Sequence, residues 1–199
     1  IEVEETGAGV KAGDDDLKSG EIYRAEDLLK IMLLVSSNDA ARVFEDYAGG
    51  EDEFTRLMNK KARQIGMSSS FFYDAAGSSD LNQSTAEDFS RLIKHILLKY
   101  PEIFNWTRSP SFFIQAVNGL ESRTVQNANG SALLTTSKLT ENQIFLGGKI
   151  GSSRSARENL AGIFSFDKER LMVIILGSKD RDREQRALFD WMRRAYTKD

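Results

Sequence analysis

The sequence predicts an α/β domain of the α+β kind, in which an antiparallel sheet is flanked by helices and accompanied by a helical lobe. Three observations carry this expectation. Apolar residues recur at helical spacing through the first half of the chain, as far as Pro101. Strand-like runs separated by turn residues then take over. The last segment returns to helical spacing, as expected of a helix that covers a sheet.

Taken in order, "IEVEETGAGVKAGDDDLKSG" is rich in glycine and acidic residues and reads as a short strand followed by a long loop or hairpin. In "RAEDLLKIMLLV", Leu28, Leu29, Met32 and Leu33 fit a helix packed on a core. "DAARVFEDYAGG" gives a second helix, ended by Gly49 and Gly50. "DEFTRLMNKKARQIGM" gives a third, with Phe54, Leu57, Met58 and Ala62 on one face and Gly66 as terminator. "STAEDFSRLIKHILLKYP" opens on Ser84, with Glu87 three residues on as a capping box, and Pro101 ends it. "SFFIQAVNGLESRTVQN" reads as a hairpin around Asn118-Gly119. "IFLGGKIGSS", "ENLAGIFSFD" and "RLMVIILGSK" are strand-like, the last two joined tightly at "FDKER". "REQRALFDWMRRAY" closes the chain as an amphipathic helix with Leu188, Trp191 and Met192 inward. The expected division is one domain over 1–199, with a helical lobe at about 21–110 and the sheet and C-terminal helix at about 111–199.

Composition narrows the function. Lys and Arg total 27 against 30 for Asp and Glu, a net charge of −3, so no basic excess exists to neutralise nucleic-acid phosphates. With no cysteine and one histidine, His95, the chain has no disulfide, no thiol nucleophile and no metal site that needs several Cys or His ligands. A Ser–His–Asp triad would rest on His95, which lies in a helical stretch with nothing nearby to nominate it. No run approaches the roughly 20 apolar residues of a membrane span.

Two stretches ask for a chemical explanation. "LVSSNDAAR" places Ser36, Ser37, Asn38 and Asp39 directly after an apolar helix. This is either a turn that caps the next helix or a pair of side chains, Ser36 and Asn38, lining a cleft. "GGKIGSS" puts Lys149 between glycines on a strand, where glycine is kept when something must approach the backbone closely. A phosphate loop would need a glycine at 143 and a hydroxyl at 150, where the chain has Gln143 and Ile150. "GAGVKAG" near the start lacks the strand-before, helix-after context of a dinucleotide site.

The pairing of Ser-x-Asn at Ser36–Asn38 with Lys-x-Gly at Lys149–Gly151 resembles the penicillin-recognising serine DD-peptidases, and among them the D-alanyl-D-alanine carboxypeptidases. "SGEIYRAEDLLKIMLLVSSNDAARVFEDYAGG", "FTRLMNKKARQIGMSSSFFYDAAG", "STAEDFSRLI" and "GGKIGSS…NLAGIF" follow that family in order and spacing, over nearly the whole chain. The resemblance implies a β-lactamase/transpeptidase-like fold. It implies that Ser36 relays a proton to the leaving D-alanine, Asn38 holds the substrate amide, and Lys149 supplies positive charge beside Ser36. The strand from Gly151 to Ser153 would pair with substrate and lend an oxyanion-hole N–H. Arg183 stands where the carboxypeptidases place an arginine for the substrate carboxylate; a solvated arginine at a helix start is the other reading.

Two departures from the family pattern stand out. Ile150 replaces the usual Thr, and alternation along a strand would point it away from the cleft. The Ser-x-x-Lys that carries the family's nucleophile is expected upstream of Ile1, in a longer polypeptide or lost in a relative. The chain's own Ser165–Lys168 falls at a strand-to-strand turn, on the wrong side of the lysine motif. The expected activity is serine-type, cofactor-free removal of the terminal D-alanine from peptidoglycan stem peptides, in an exported protein at the periplasmic or extracellular face of the bacterial membrane. β-Lactams are the expected ligands of the complete enzyme. The alternative is a catalytically inactive peptidoglycan- or protein-binding module. An N-terminal fragment, a second copy of the chain, or a rearranged packing of this chain itself is expected to cover the apolar face of "LLKIMLLV".

Overall fold

The computed structural model describes residues 1–4, 17–129, 143–166 and 169–196. The glycine-rich stretch 7–13 and Lys168 lie outside them. Helices α1 (Ala25–Val35), α2 (Asn38–Tyr47), α3 (Glu51–Gln64), α4 (Ala86–Lys99) and α5 (Glu102–Arg108) come first. Strands β1 (Ser111–Gln115) and β2 (Ser122–Gln126) follow, then β3 (Gln143–Ser153), β4 (Arg157–Phe166) and β5 (Glu169–Ser178), and helix α6 (Arg181–Tyr196) closes the chain. The predicted mixture of helices and antiparallel sheet is present, in two sheets of order β1-β2 and β3-β4-β5.

The first core is built on α1. Leu28, Ile31 and Leu34 are fully buried there, with Val3, Tyr23, Ala40, Val43, Ile114 and Val125 in the same cluster. The α1 stripe therefore falls on Leu28–Ile31–Leu34, while Met32 and Leu33 are only partly buried. The β1–β2 hairpin turns at Asn118-Gly119 as predicted, Gly119 having φ +72°. It packs on α1, so residues 111–126 group with the helices, and the three-stranded sheet begins only at Gln143. The N-terminal residues pair antiparallel with 21–23 through the Glu2–Ile22 bridge.

Local signals mostly act where expected. Ser37 caps α2 by accepting from the Ala40 N–H at 3.1 Å. The cap of α4 is Thr85, not Ser84: its hydroxyl accepts from the Asp88 N–H at 3.1 Å, one residue later than the pattern suggested. Pro101 ends α4 and also opens α5, a short helix that the sequence reading passed over. In α3 the buried positions are Asn59 and Ala62 rather than Leu57. Asn59 binds both backbone groups of Phe72, donating to its carbonyl at 2.7 Å and accepting from its N–H at 2.9 Å.

The three-stranded sheet has two dissimilar faces. Leu160, Phe164, Val173 and Ile175 pack on Phe189 and Met192 of α6. Ala161, Ile163, Met172 and Ile174 face Ile93 and Ile96 of α4 and Phe104 of α5. Helix α6 turns Phe189 inward beside Gln185 and Arg181, while Leu188 and Trp191, expected inward, are exposed. Its inner stripe runs at i, i+4, i+8 and begins with two polar side chains, which an apolar pattern does not reveal.

A β-bulge between Phe145 and Gly147 shifts the register of β3 against β4. It inserts one residue, so Phe145 and Ile150 both face α6, while Leu146 faces the helices and Lys149 sits opposite Ala161 on that same side. Ile150 points away from the cleft, as alternation predicted. The paired glycines are what let α5 reach this strand. Gly147 has φ +130°, and a Cβ there would collide with the backbone carbonyl of Phe104; Gly148 has φ +156°, with the backbone of Ala161 and Gly162 equally close. Gly147→Ala should destabilise the protein by about 2–4 kcal/mol, read as a lower urea midpoint at unchanged slope. Gly20→Ala, at φ +87° but with an added methyl that meets nothing within 4 Å, should cost about 1–2 kcal/mol, the backbone strain alone.

Candidate active site

The two serines that follow α1 have different jobs. Ser36 is the C-cap, in the left-handed conformation at φ +60°, ψ +40°. A non-glycine residue there costs about 1 kcal/mol, and such strain concentrates at functional sites. The turn leaves Ser36 exposed, Ser37 free to cap α2, and Asn38 in its first turn. Ser36, Asn38 and Lys149 line one cleft of about 170 Å³, walled by Met32, Leu33 and Ala41 on one side and Ala75 and Ala76 on the other. Both sequence alternatives for "SSND" are thus realised, in neighbouring residues.

Lys149 reaches this cleft from β3. Its Nζ donates to Ser36 Oγ at 2.5 Å, to the Ile150 carbonyl at 2.7 Å and to Asn129 Oδ1 at 3.2 Å. Burial, with a smaller contribution from the nearby Arg181 charge, pushes the Lys149 amine down to about 8. Asn129, fully buried, also accepts from the Ile150 N–H at 3.1 Å and donates to the Leu33 carbonyl at 2.6 Å. Asn127 holds Asn129 from behind. Its Oδ1 accepts from the Asn129 N–H at 2.9 Å, and its Nδ2 donates to the carbonyls of Thr107 and Ser109 at 2.6 and 2.8 Å. Thr107 Oγ1 in turn accepts from the Gly148 N–H at 3.0 Å. A chain of buried polar groups therefore joins α1, α5, the end of the hairpin and β3.

The other expected residues are placed differently. Gly151 is exposed two residues past Lys149, and Ser153 accepts from the Ala156 N–H at 3.0 Å within the β3–β4 turn. Arg183 is exposed, and its backbone N–H donates to Asp180 Oδ1 at 2.9 Å. The buried arginine is Arg181, whose charge acts on Lys149. Its backbone N–H donates to Glu158 Oε2 at 2.8 Å, and its Nε lies 3.4 Å from Asp182 Oδ1. His95 is a half-buried α4 residue with its ring edge-on to Tyr100. Ser165 lies on β4, in the strand next to the hairpin turn. The sequence reading missed Asn127, Asn129, Thr107 and Arg181. "QNAN", two amides spaced i, i+2 just after a strand, was the available signal for the first pair.

A Ser-x-Asn at a helix end, facing a half-dehydrated lysine delivered by a Lys-x-Gly strand, defines the class of serine acyl-transfer folds that recognise penicillin. The sequence profile of the peptidase S11 family, D-alanyl-D-alanine carboxypeptidase, matches residues 4–180. The chain belongs to this D-alanyl-D-alanine carboxypeptidase family. It is 30% identical over 180 residues to D-alanyl-D-alanine carboxypeptidase DacC of Escherichia coli, covering 88% of this chain and 42% of that one. It is 29% identical to DacD of the same organism, covering 91% and 45%. The chain thus spans less than half the length of these relatives. Among solved structures, D-alanyl-D-alanine carboxypeptidase from Mycobacterium tuberculosis superposes with a TM-score of 0.80 at 25% identity, covering 96% of this chain and 72% of that one. Penicillin-binding protein 6B from Escherichia coli gives 0.76 at 26%, covering 96% and 60%.

The amine of Lys149 has a sign-definite consequence for stability. Its folded value of about 8 lies below the ordinary 10.5, so the unfolded chain holds that proton more tightly. The resulting penalty is fully present below about pH 8 and is relieved as pH rises toward 10.5. Relative to Lys149→Met, the wild-type chain should therefore gain stability, on the order of 2 kcal/mol, between pH 8 and 10.5, measured by urea unfolding. Below pH 8 the difference between the two proteins should be flat.

Proposed function

We propose that this chain carries the Ser-x-Asn and Lys-x-Gly portion of a serine D-alanyl-D-alanine carboxypeptidase that removes the terminal D-alanine from peptidoglycan stem peptides, outside the cytoplasm. The observation that carries the reading is the 2.5 Å contact between Lys149 Nζ and Ser36 Oγ, made by an amine whose affinity for its proton is reduced. In this reading a serine of a Ser-x-x-Lys segment attacks the carbonyl between the two D-alanines and gives its proton to the neighbouring lysine. The C–N bond breaks as Ser36 donates its hydroxyl proton to the leaving amine, and Lys149 returns a proton to Ser36. Water then releases the acyl group and restores the serine. No metal or cofactor takes part. The cleft at Ser36 shares Ala75 and Ala76 with a larger space of about 580 Å³ walled by Met58, Phe72, Phe89 and Leu176 together with polar residues, and this reading seats the Ser-x-x-Lys segment there.

Recognition of the substrate follows from the same groups. Lys149 lines the cleft, and Arg181 lies close enough for its charge to act on that amine, so a terminal carboxylate would meet a positive field there. In this reading the carboxylate role falls to Arg181, whose charge acts on Lys149, with the exposed Arg183 as the competing candidate. Both backbone groups of Ile150 are already bonded, the N–H to Asn129 and the carbonyl to Lys149. The first outward pair on β3 open to a substrate backbone is therefore that of Ser152, two residues on. A penicillin-binding protein from Listeria monocytogenes with the same fold has been solved in a cefotaxime-bound form, at 21% identity and a TM-score of 0.69. β-Lactams are accordingly the probe of choice.

The test is intact-mass measurement after incubation with excess benzylpenicillin. The 199-residue chain should form no adduct, and the full product of its gene should form a stoichiometric one that slows at least about 100-fold in Lys149→Ala. No adduct on either protein, together with retained binding of a D-Ala-D-Ala peptide, would instead identify a binding module. An adduct on the 199-residue chain that vanishes in Ser36→Ala would make Ser36 itself the nucleophile.

Carboxylate recognition has its own check. In the full gene product, Arg181→Ala should raise KM for a D-Ala-D-Ala peptide by about tenfold or more, since a charge-assisted bond contributes about 1.5–3 kcal/mol. Arg183→Ala should leave KM within about twofold, its charge being solvated. Equal effects of the two substitutions would overturn the assignment.

A further inference from the structure

Asn129 is fully buried, and its side-chain amide is bonded at both ends. Oδ1 accepts two bonds, from Lys149 Nζ at 3.2 Å and from the Ile150 N–H at 3.1 Å. Nδ2 donates to the Leu33 carbonyl at 2.6 Å and lies 3.5 Å from that of Leu34. These partners allow one orientation only. A flipped amide would set its NH2 against an ammonium and an N–H, and its oxygen against two carbonyls. Leu33 and Leu34 belong to the last turn of α1, the turn that presents Ser36. One amide therefore spans both halves of the Ser36–Lys149 contact.

We propose that Asn129 is the positioning residue of this site, a neutral clamp that ties β3 to the end of α1 so that the Lys149 amine is held against the Ser36 hydroxyl. The neutrality matters as much as the geometry. Aspartate could make the same two acceptor bonds, but it would lose the donor to Leu33 and set an anion about 3 Å from Lys149. The charged group acting on Lys149 among the described residues is Arg181 from α6, whose own N–H is bonded to Glu158 of β4; α1 and α2 contribute the uncharged Ser36 and Asn38. Among the described residues, an amide at 129 thus leaves Lys149 facing a cation and no bonded anion, and that keeps its proton transferable. This inference rests on the reading of Ser36 and Lys149 as a proton-handling pair, but its test reads the lysine directly.

The experiment is an NMR pH titration of the 199-residue chain labelled at lysine side-chain nitrogen and at asparagine amides. The Lys149 signal, identified by its loss in Lys149→Met, should titrate near pH 8, and the Asn129 carboxamide signals should move with the same midpoint. In Asn129→Asp the lysine midpoint should rise by at least about one pH unit. Thr107→Val removes a neighbouring strut of the same polar chain without touching Lys149, and it should leave the midpoint where it was. An unchanged midpoint in Asn129→Asp, or equal shifts in Asn129→Asp and Thr107→Val, would reduce Asn129 to ordinary packing. Should Asn129→Asp not fold, the wild-type carboxamide signals decide: insensitivity to pH between 7 and 9.5 overturns the proposal. Failure of the full gene product to react with penicillin would leave this titration standing, so the two claims fail separately.

Discussion

The geometry of the site depends on a single extra residue in β3. Side chains alternate strictly along a strand, so Phe145 and Lys149, four residues apart, would ordinarily share a face. Phe145 belongs to the core under α6, its ring tilted against that of Phe164. Without the bulge between Phe145 and Gly147, a strand that kept Phe145 buried would bury Lys149 beside it, away from Ser36. The irregularity lets one strand serve an apolar core at its start and a polar cleft at its end. It also explains the two glycines, since the bulged backbone lies against α5 on one side and β4 on the other.

A bulge disturbs hydrogen bonding, and the surrounding helices restore it. The Gly148 N–H goes to Thr107, Thr107 is held through Asn127, and Asn127 leads to Asn129 and back to the strand at Ile150. Each such bond contributes about 1 kcal/mol net, whereas a buried group left unpaired costs about 1–3 kcal/mol. The chain of amides therefore matters chiefly for what its absence would expose. Its members come from α1, α5, β2–β3 and β3, so the lobe and the sheet are locked together at the point where Ser36 and Lys149 meet. The strained turn at Ser36 is tolerated because the same network fixes the end of α1.

Much of this arrangement was legible in the sequence. Spacing of apolar residues marks the helices and strands, Asn118-Gly119 marks the hairpin, and two short motifs mark Ser36, Asn38 and Lys149, which line one cleft. The errors have a common physical origin. Buried polar residues do not announce themselves: Asn59 and Asn129 look like loop or surface amides, and α6 begins its inner stripe with Arg181 and Gln185. An apolar pattern therefore points to Leu188 and Trp191, which are exposed. Helix α5 was missed because seven residues hold too few turns for a period to show. The placement of the hairpin on α1 is a tertiary choice between two possible cores, which neither segment encodes alone.

The bonding of Ile150 has one more effect. Strand β3 is an edge, and an unpaired edge invites a strand from another molecule. Here the outward N–H and carbonyl of Ile150 are covered by the side chains of Asn129 and Lys149. Thr107 covers the N–H of Gly148 just before them. Beyond Gly151 the short, exposed end of β3 carries serine side chains, with nothing apolar to hold a stray strand. The side chains that organise the cleft thus also shield this stretch of one sheet edge, the other edge being β5.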